Sequence, residues 1–238
     1  EKLYQNRKYD IEHCEGQIIL VLAGIKKFGL LVQNTWFQED LLSFSLDRLP
    51  FERSEQKRFV NVDLSECDSC ELRKECSAPV LPSQGTSNIM IIGEAPGLEE
   101  DKQGKGFVGR SGDTLWAELD RYGCKRRDFH VSNFTKCFPS ETKTPSRKHV
   151  NKCRKWLEEE IRCLEPRFAL VFGNTAVKFF TDDDSGIKKL SGTTTWSEKY
   201  SMWINWCIHP ASVLYDPNNR KMFEDGIRNF AEKAIIPF

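Results

Sequence analysis

The sequence predicts an α/β fold of three layers, with helices on both faces of a mainly parallel four-stranded central sheet and a helical extension at the N-terminus. Three observations predict it. Four short strand-like runs alternate with amphipathic stretches of helical period. The first run breaks directly into a loop with six glycines, "GEAPGLEEDKQGKGFVGRSG", between Gly93 and Gly112. No apolar run approaches the ~18 residues of a membrane span, so the apolar residues of the 238-residue chain must form an ordinary core.

Residues 1–60 hold no motif, and "LLSFSLDRLPFERSEQKRF" reads as a helical piece ending in a polar connector. The chain is therefore divided into an extension over 1–60 and a main domain over 61–238. The most apolar segment, "IILVLAGIKKFGLLV" from Ile18, is broken by Lys26 and Lys27 and lacks a small-residue cleavage pattern, so it reads as core and not as a signal peptide. The chain opens at Glu1 without a methionine, as expected of a processed product or a piece of a longer protein. Ile89–Ile92 is the first strand, and a helix follows from Ser111 as N-cap with Leu115 and Leu119 on one face. Phe129–Ser132 is the second strand, followed by a helix over 148–164. Phe168–Phe172 is the third, with Asn174 as cap of the next helix. Met202–Ile208 is the fourth, and a last helix covers 221–234. In open parallel sheets ligands bind beyond the carboxyl ends of the strands. Gly93 to Gly97, Asn133, Gly173 with Asn174, and His209 with Pro210 should therefore meet at one edge.

Net charge is zero, but Lys102 to Lys155 holds fourteen basic against five acidic residues, with Phe107, Phe129, Phe134 and Phe138 interleaved. That pattern suits a groove that tracks phosphates and stacks bases, and equally a solvated charged face. Nine cysteines without an export signal indicate reduced thiols or metal ligands in the cytoplasm. Cys67 and Cys70 form a C-x2-C pair that Cys137 and Cys153 could complete as a thiolate site for zinc or an iron-sulfur cluster. Cys153 shares the face of Val150 and Leu157 and points to the core, whereas Cys163 is rotated away. Cys76 competes for a ligand role, and Cys14, Cys124 and Cys207 read as buried thiols. The glycine loop is not a P-loop, since no Lys-Ser or Lys-Thr closes it, and it does not match the dinucleotide-binding fingerprint. It lets backbone amides approach a ligand closely, with the Phe107 ring as a surface for a flat group.

"GEAPGLEED", "GFVGRSG", "VSNFTKC" and "HPASVL", in that order and together with the four cysteines, resemble the family 4 uracil-DNA glycosylases, which carry a [4Fe-4S] cluster. The resemblance spans about 64–235. It implies that Cys67, Cys70, Cys137 and Cys153 ligate the cluster, and that a uridine is turned out of single- or double-stranded DNA so that its glycosidic bond can be hydrolysed. By the same resemblance Phe107 stacks on uracil, Asn133 reads its N3–H and O4, and His209 stabilises the departing anion at O2. Glu100 crowds C5 against the thymine methyl. Ser212, Val213 and Leu214 form the wedge that enters the vacated stack. Gly93 and Ala95 line the loop, and because Ala95 stands where other uracil glycosylases place an aspartate, orienting the water falls to Glu94 and loop backbone.

The chain departs from that pattern at Gly106, where a proline is usual, at Phe138, where an arginine usually follows the cysteine, and at Tyr215, commonly an arginine. The loop "KKLSGTTTWSEKY" lacks the Arg- and His-rich insertion of a covalent uracil-binding branch, so covalent capture is not expected. The expected activity is that of a monofunctional uracil-DNA glycosylase of base excision repair. The alternative is a non-catalytic or weakly catalytic DNA-binding module of a larger assembly, with residues 1–60 as a candidate surface for a protein partner.

Overall fold

The computed structural model describes residues 63–64, 67–181 and 185–235. The extension expected over 1–60, and Cys14 within it, lie outside the described residues. In chain order the elements are α1 (Leu72–Glu75), β1 (Ile89–Gly93), α2 (Leu98–Gln103), α3 (Arg110–Asp120), β2 (His130–Asn133), α4 (Arg147–Leu164), β3 (Phe168–Phe172), α5 (Gly173–Phe180), α6 (Ile187–Leu190), β4 (Thr194–Ser197), β5 (Met202–Cys207), α7 (Ala211–Tyr215) and α8 (Arg220–Ala234).

The sheet has five strands in the order β2-β1-β3-β5-β4, with β2, β1, β3 and β5 parallel and β4 antiparallel to β5. Every residue of β1, β2 and β3 is buried because both faces are covered; β1 and β3 accordingly read as apolar runs, whereas β2 buries His130, Ser132 and Asn133. β4 is the strand the sequence did not announce. Trp196 opposite Trp203 is partly exposed, and the strand's threonines carry no apolar run, as suits an edge strand.

The helices run as expected with two local corrections. Gly109, not Ser111, is the N-cap of α3, and Ser111 lies inside the helix. Asn174 lies inside the first turn of α5, where its Oδ1 accepts from the Ile187 amide at 2.9 Å and so anchors α6. Ser146 caps α4 by accepting from the His149 amide at 3.3 Å, and Val150, Leu157 and Ile161 bury its apolar face. α8 packs on β5 so closely that a Cβ at Gly226 would lie 2.6 Å from Cys207 Sγ. Among the described residues no helix is long and apolar enough to cross a membrane.

Because four strands are parallel, their carboxyl ends share an edge. Gly93 pairs with Asn133, Ile92 with Val171, and Phe172 with Cys207, so the residues that follow each strand emerge side by side.

Candidate active site

The loop after β1 is built around Glu100. This buried carboxylate accepts from the Gly97 amide at 3.1 Å and from the Val108 and Gly109 amides at 3.0 Å, which folds the glycine-rich loop back on α2. Between those anchors Phe107 adopts a left-handed backbone, φ 53°, which costs a non-glycine residue on the order of 1–3 kcal/mol. Its carbonyl is held by Trp116 Nε1 at 2.9 Å, and its ring packs at 5.9 Å from Phe172 and 6.2 Å from Trp116. The loop thus sets Phe107 in one place at the mouth of the sheet.

At the end of β2, Asn133 turns its amide toward the same place. A Cβ at Gly93 would stand 2.2 Å from Asn133 Oδ1 and 2.7 Å from Phe107 Cζ, so only glycine lets the amide and the ring come together against β1. The Asn133 side chain is buried yet forms no hydrogen bond among the described residues, so its donor and acceptor are free for a ligand.

His209 follows β5. Its Nδ1 accepts from the Ala211 amide at 3.2 Å, which puts the proton of the neutral ring on Nε2. Burial pushes its pKa down to about 4, so the ring is neutral at pH 7 and offers an N–H donor. Phe172 stands edge-on to it at 6.0 Å and tilted to Phe107 at 5.9 Å. Glu94 is fixed by Thr175, whose hydroxyl donates to Oε1 at 2.5 Å. Glu94, Asn174, Thr175, His209, Ser212 and Asn219 line a cleft of about 510 Å³, with Arg147, Lys178 and Lys188 also in its wall. The edge expected from strand order is therefore real, with Glu94, Gly173, Asn174 and His209 in one cleft and Asn133 against Gly93.

The α7 turn differs from expectation. Val213 packs into the core at 5% exposure. The Ser212 hydroxyl donates to the His209 carbonyl at 2.7 Å, stiffening the turn below the imidazole. The side chains presented outward are Leu214, 37% exposed, and Tyr215, 89% exposed. Successive residues of a helix are turned by about 100°, so Val213 and its neighbours face different ways, which spacing in a motif does not reveal. Sequence reasoning also missed Thr175, whose role depends on β3 lying beside β1.

Cys67, Cys70, Cys137 and Cys153 line one small cavity with Thr135 and Trp156. Two buried polar atoms without a hydrogen-bond partner, Thr135 Oγ1 and Trp156 Nε1, belong to side chains of that wall. Among the described residues no three His, Cys, Asp or Glu side chains converge closely enough for a single metal ion. Cys76 is buried with Leu72, Cys137 and Phe138, beside the cavity and outside its lining. Cys163 contacts Glu159 at 3.3 Å on the opposite side of α4 from the core. Cys124 and Cys207 are buried, and desolvation pushes the Cys124 thiol up to about 12, as inert core thiols require.

The profile of the Uracil DNA glycosylase superfamily matches residues 82–231, from the turn before β1 into α8. The chain belongs to the uracil DNA glycosylase superfamily. Within it, similar proteins carry the name Type-4 uracil-DNA glycosylase. That of Thermotoga maritima is 33% identical over 179 residues, covering 71% of this chain and 88% of its own. The proteins of Pyrobaculum aerophilum, 32% identical over 70% of this chain and 89% of its own, and of Sulfurisphaera tokodaii, 29% identical over 75% and 84%, are similar at like extent. The superfamily span holds Glu94, Phe107, Asn133, His209, Cys137 and Cys153, while Cys67 and Cys70 precede it.

Proposed function

We propose that the chain is a monofunctional uracil-DNA glycosylase that turns a uridine out of DNA, hydrolyses its N1–C1′ bond and leaves an abasic site. The observation that carries this reading is the unpartnered, buried amide of Asn133, set beside Phe107 at the strand edge where His209 and Glu94 also emerge. Asn133 accepts from uracil N3–H and donates to O4, the reverse of what cytosine offers, and a wrong base leaves buried polar groups unpaired. Phe107 supports the ring. His209, neutral with its proton on Nε2, donates to O2 and stabilises the charge that develops as N1 leaves as the uracil anion. The Glu94 carboxylate, steadied by Thr175, orients the water whose oxygen bonds to C1′. The proton that water loses passes to solvent, and the anion is protonated after release. Ala95 has no group for this step. The C5 methyl of thymine is excluded by the loop that Glu100 holds, and Leu214 and Tyr215 meet the stack from which the base departs.

Cys67, Cys70, Cys137 and Cys153 would hold a [4Fe-4S] cluster. Four thiols around one cavity, without three converging on one point, suit ligands of separate irons better than ligands of one zinc, and the unpartnered Thr135 hydroxyl and Trp156 N–H are available to sulfur. The cluster, when bound, cross-links the segment before α1 to α4. Such ligands fit a reducing compartment, the cytoplasm. The domain proper is 61–238, with 1–60 as a separate extension.

Oligonucleotides carrying one uracil, single- and double-stranded, incubated with the protein and then treated with alkali, test the reading. Cleavage at uracil and not at cytosine or thymine is expected, and no cleavage of either substrate at high enzyme excess refutes it.

A further inference from the structure

β2 ends on Asn133, and a buried charge network surrounds that end. Lys136 Nζ donates to Ser132 Oγ at 2.6 Å and to the Asn133 carbonyl at 2.9 Å, and pairs with Glu160 Oε1 at 2.5 Å. The ammonium thus has two hydrogen-bond acceptors and an ion-pair partner, whose Oε1 accepts no hydrogen bond among the described residues. Lys136 is 2% exposed and Glu160 0%. The second oxygen of Glu160 lies 3.1 Å from Nε2 of His130, also on β2 and fully buried. Buried ion pairs are costly to desolvate, and well-packed apolar replacements often leave stability unchanged or raised, so stability alone is a poor reason for this one. Its geometry concerns one strand end: two of the three Lys136 contacts are to Ser132 and Asn133.

The same lysine belongs to the cysteine cavity. Thr135, Lys136 and Cys137 all line it, together with Cys153. The Lys136 carbonyl accepts from the Val80 amide at 2.7 Å, which pins the turn from outside. Asn133 to Cys137 is thus a five-residue bridge between the base-reading amide and a cysteine of the cavity, with the Lys136 ammonium tied back to Ser132 and Asn133 and its carbonyl to Val80.

We infer that Lys136, with Glu160 and Ser132, is a positioning residue that sets the Asn133 amide for base discrimination and couples that amide to the cysteine cavity. This rests on the glycosylase reading above. The network holds the Asn133 main chain, and a strand end free to rotate would let the amide present either pattern to a base.

The test is the Lys136→Met/Glu160→Gln double variant of the full chain, which removes both charges together and leaves none buried alone. Cleavage of uracil- and cytosine-containing oligonucleotides, KM for DNA, iron per chain and circular dichroism are measured beside the wild type. With fold and iron retained, kcat on uracil should fall about tenfold and the uracil-over-cytosine ratio about tenfold, the loss of roughly one well-made hydrogen bond at the transition state, with KM within about twofold. A folded, iron-replete double variant with wild-type kcat and discrimination overturns the inference. Ser132→Ala, which keeps the ion pair, covers the case in which the double variant does not fold: a fall of about threefold in kcat at unchanged KM supports the inference, and wild-type kcat overturns it. A wild-type protein inactive on uracil would refute the glycosylase reading itself, whereas an active wild type with unaffected variants refutes only the role given to Lys136.

Discussion

Replacing Glu100 separates two roles for one residue. The resemblance makes it a gate against the thymine methyl, and the structure engages its carboxylate with three backbone amides, those of Gly97, Val108 and Gly109 at 3.0–3.1 Å. Hydrogen bonds to a charged group contribute about 1.5–3 kcal/mol each, and amides of a surface loop recover part of that from water, so Glu100→Ala should cost about 3–5 kcal/mol. For a domain of this length that lowers Tm by roughly 6–20 °C. The left-handed backbone of Phe107 then loses its support and relaxes, so uracil cleavage should fall together with Tm. Glu100→Gln keeps Oε1 as acceptor for Val108 and Gly109 but faces an amide NH2 toward Gly97, and should cost about 1–2 kcal/mol. Thermal unfolding and single-turnover cleavage of uracil and thymine oligonucleotides decide the matter. A Glu100→Ala protein with wild-type Tm that gains cleavage of thymine would refute the clamp and establish the gate.

Further outcomes are expected at His209, at two glycines, and at Cys137 and Asn133. His209 has its pKa lowered to about 4 by burial, so the unfolded chain binds the proton first: its contribution to stability is complete above about pH 6.5 and is lost as pH falls toward 4. Urea unfolding at pH 7 and 4.5 should show that loss diminish in His209→Gln, and the wild-type rate should show no His209 titration between pH 6 and 8. Gly226→Ala should destabilise by about 1–3 kcal/mol despite better helix propensity, because the new Cβ would meet Cys207 Sγ at 2.6 Å. Gly106→Ala should be tolerated or gain up to about 1 kcal/mol, since its Cβ would find only Asn133 Nδ2 at 3.5 Å and Val131 Cγ1 at 3.8 Å, and denaturation midpoints check both glycines. Cys137→Ala should lose iron and folded protein together, read as absorbance near 400 nm and circular dichroism, while Asn133→Ala keeps both and loses rate.

The sequence by itself determined the order of elements and the edge at which they act. β1 and β3, buried on both faces, are written as apolar runs, and strands that run the same way end at one edge, so Gly93, Asn133, Gly173 and His209 emerge side by side. The C-x2-C pair and the helical phase of Cys153 were legible for the same reason: local spacing is chemistry that the chain carries with it. Local pattern is silent where a side chain's partner comes from another element. β4 has no core face to advertise it, Val213 turns inward only because α7 sits on the core, and Thr175 reaches Glu94 only because β3 lies beside β1. Glu100 reads as one acid in an acidic run until the loop closes and brings three amides to it, and Lys136 reads as one of fourteen basic residues until burial places it on Asn133 and Glu160. Pairing across the fold decided those roles, because a hydrogen bond or an ion pair needs two groups brought within about 3 Å, and only the packed chain brings them there.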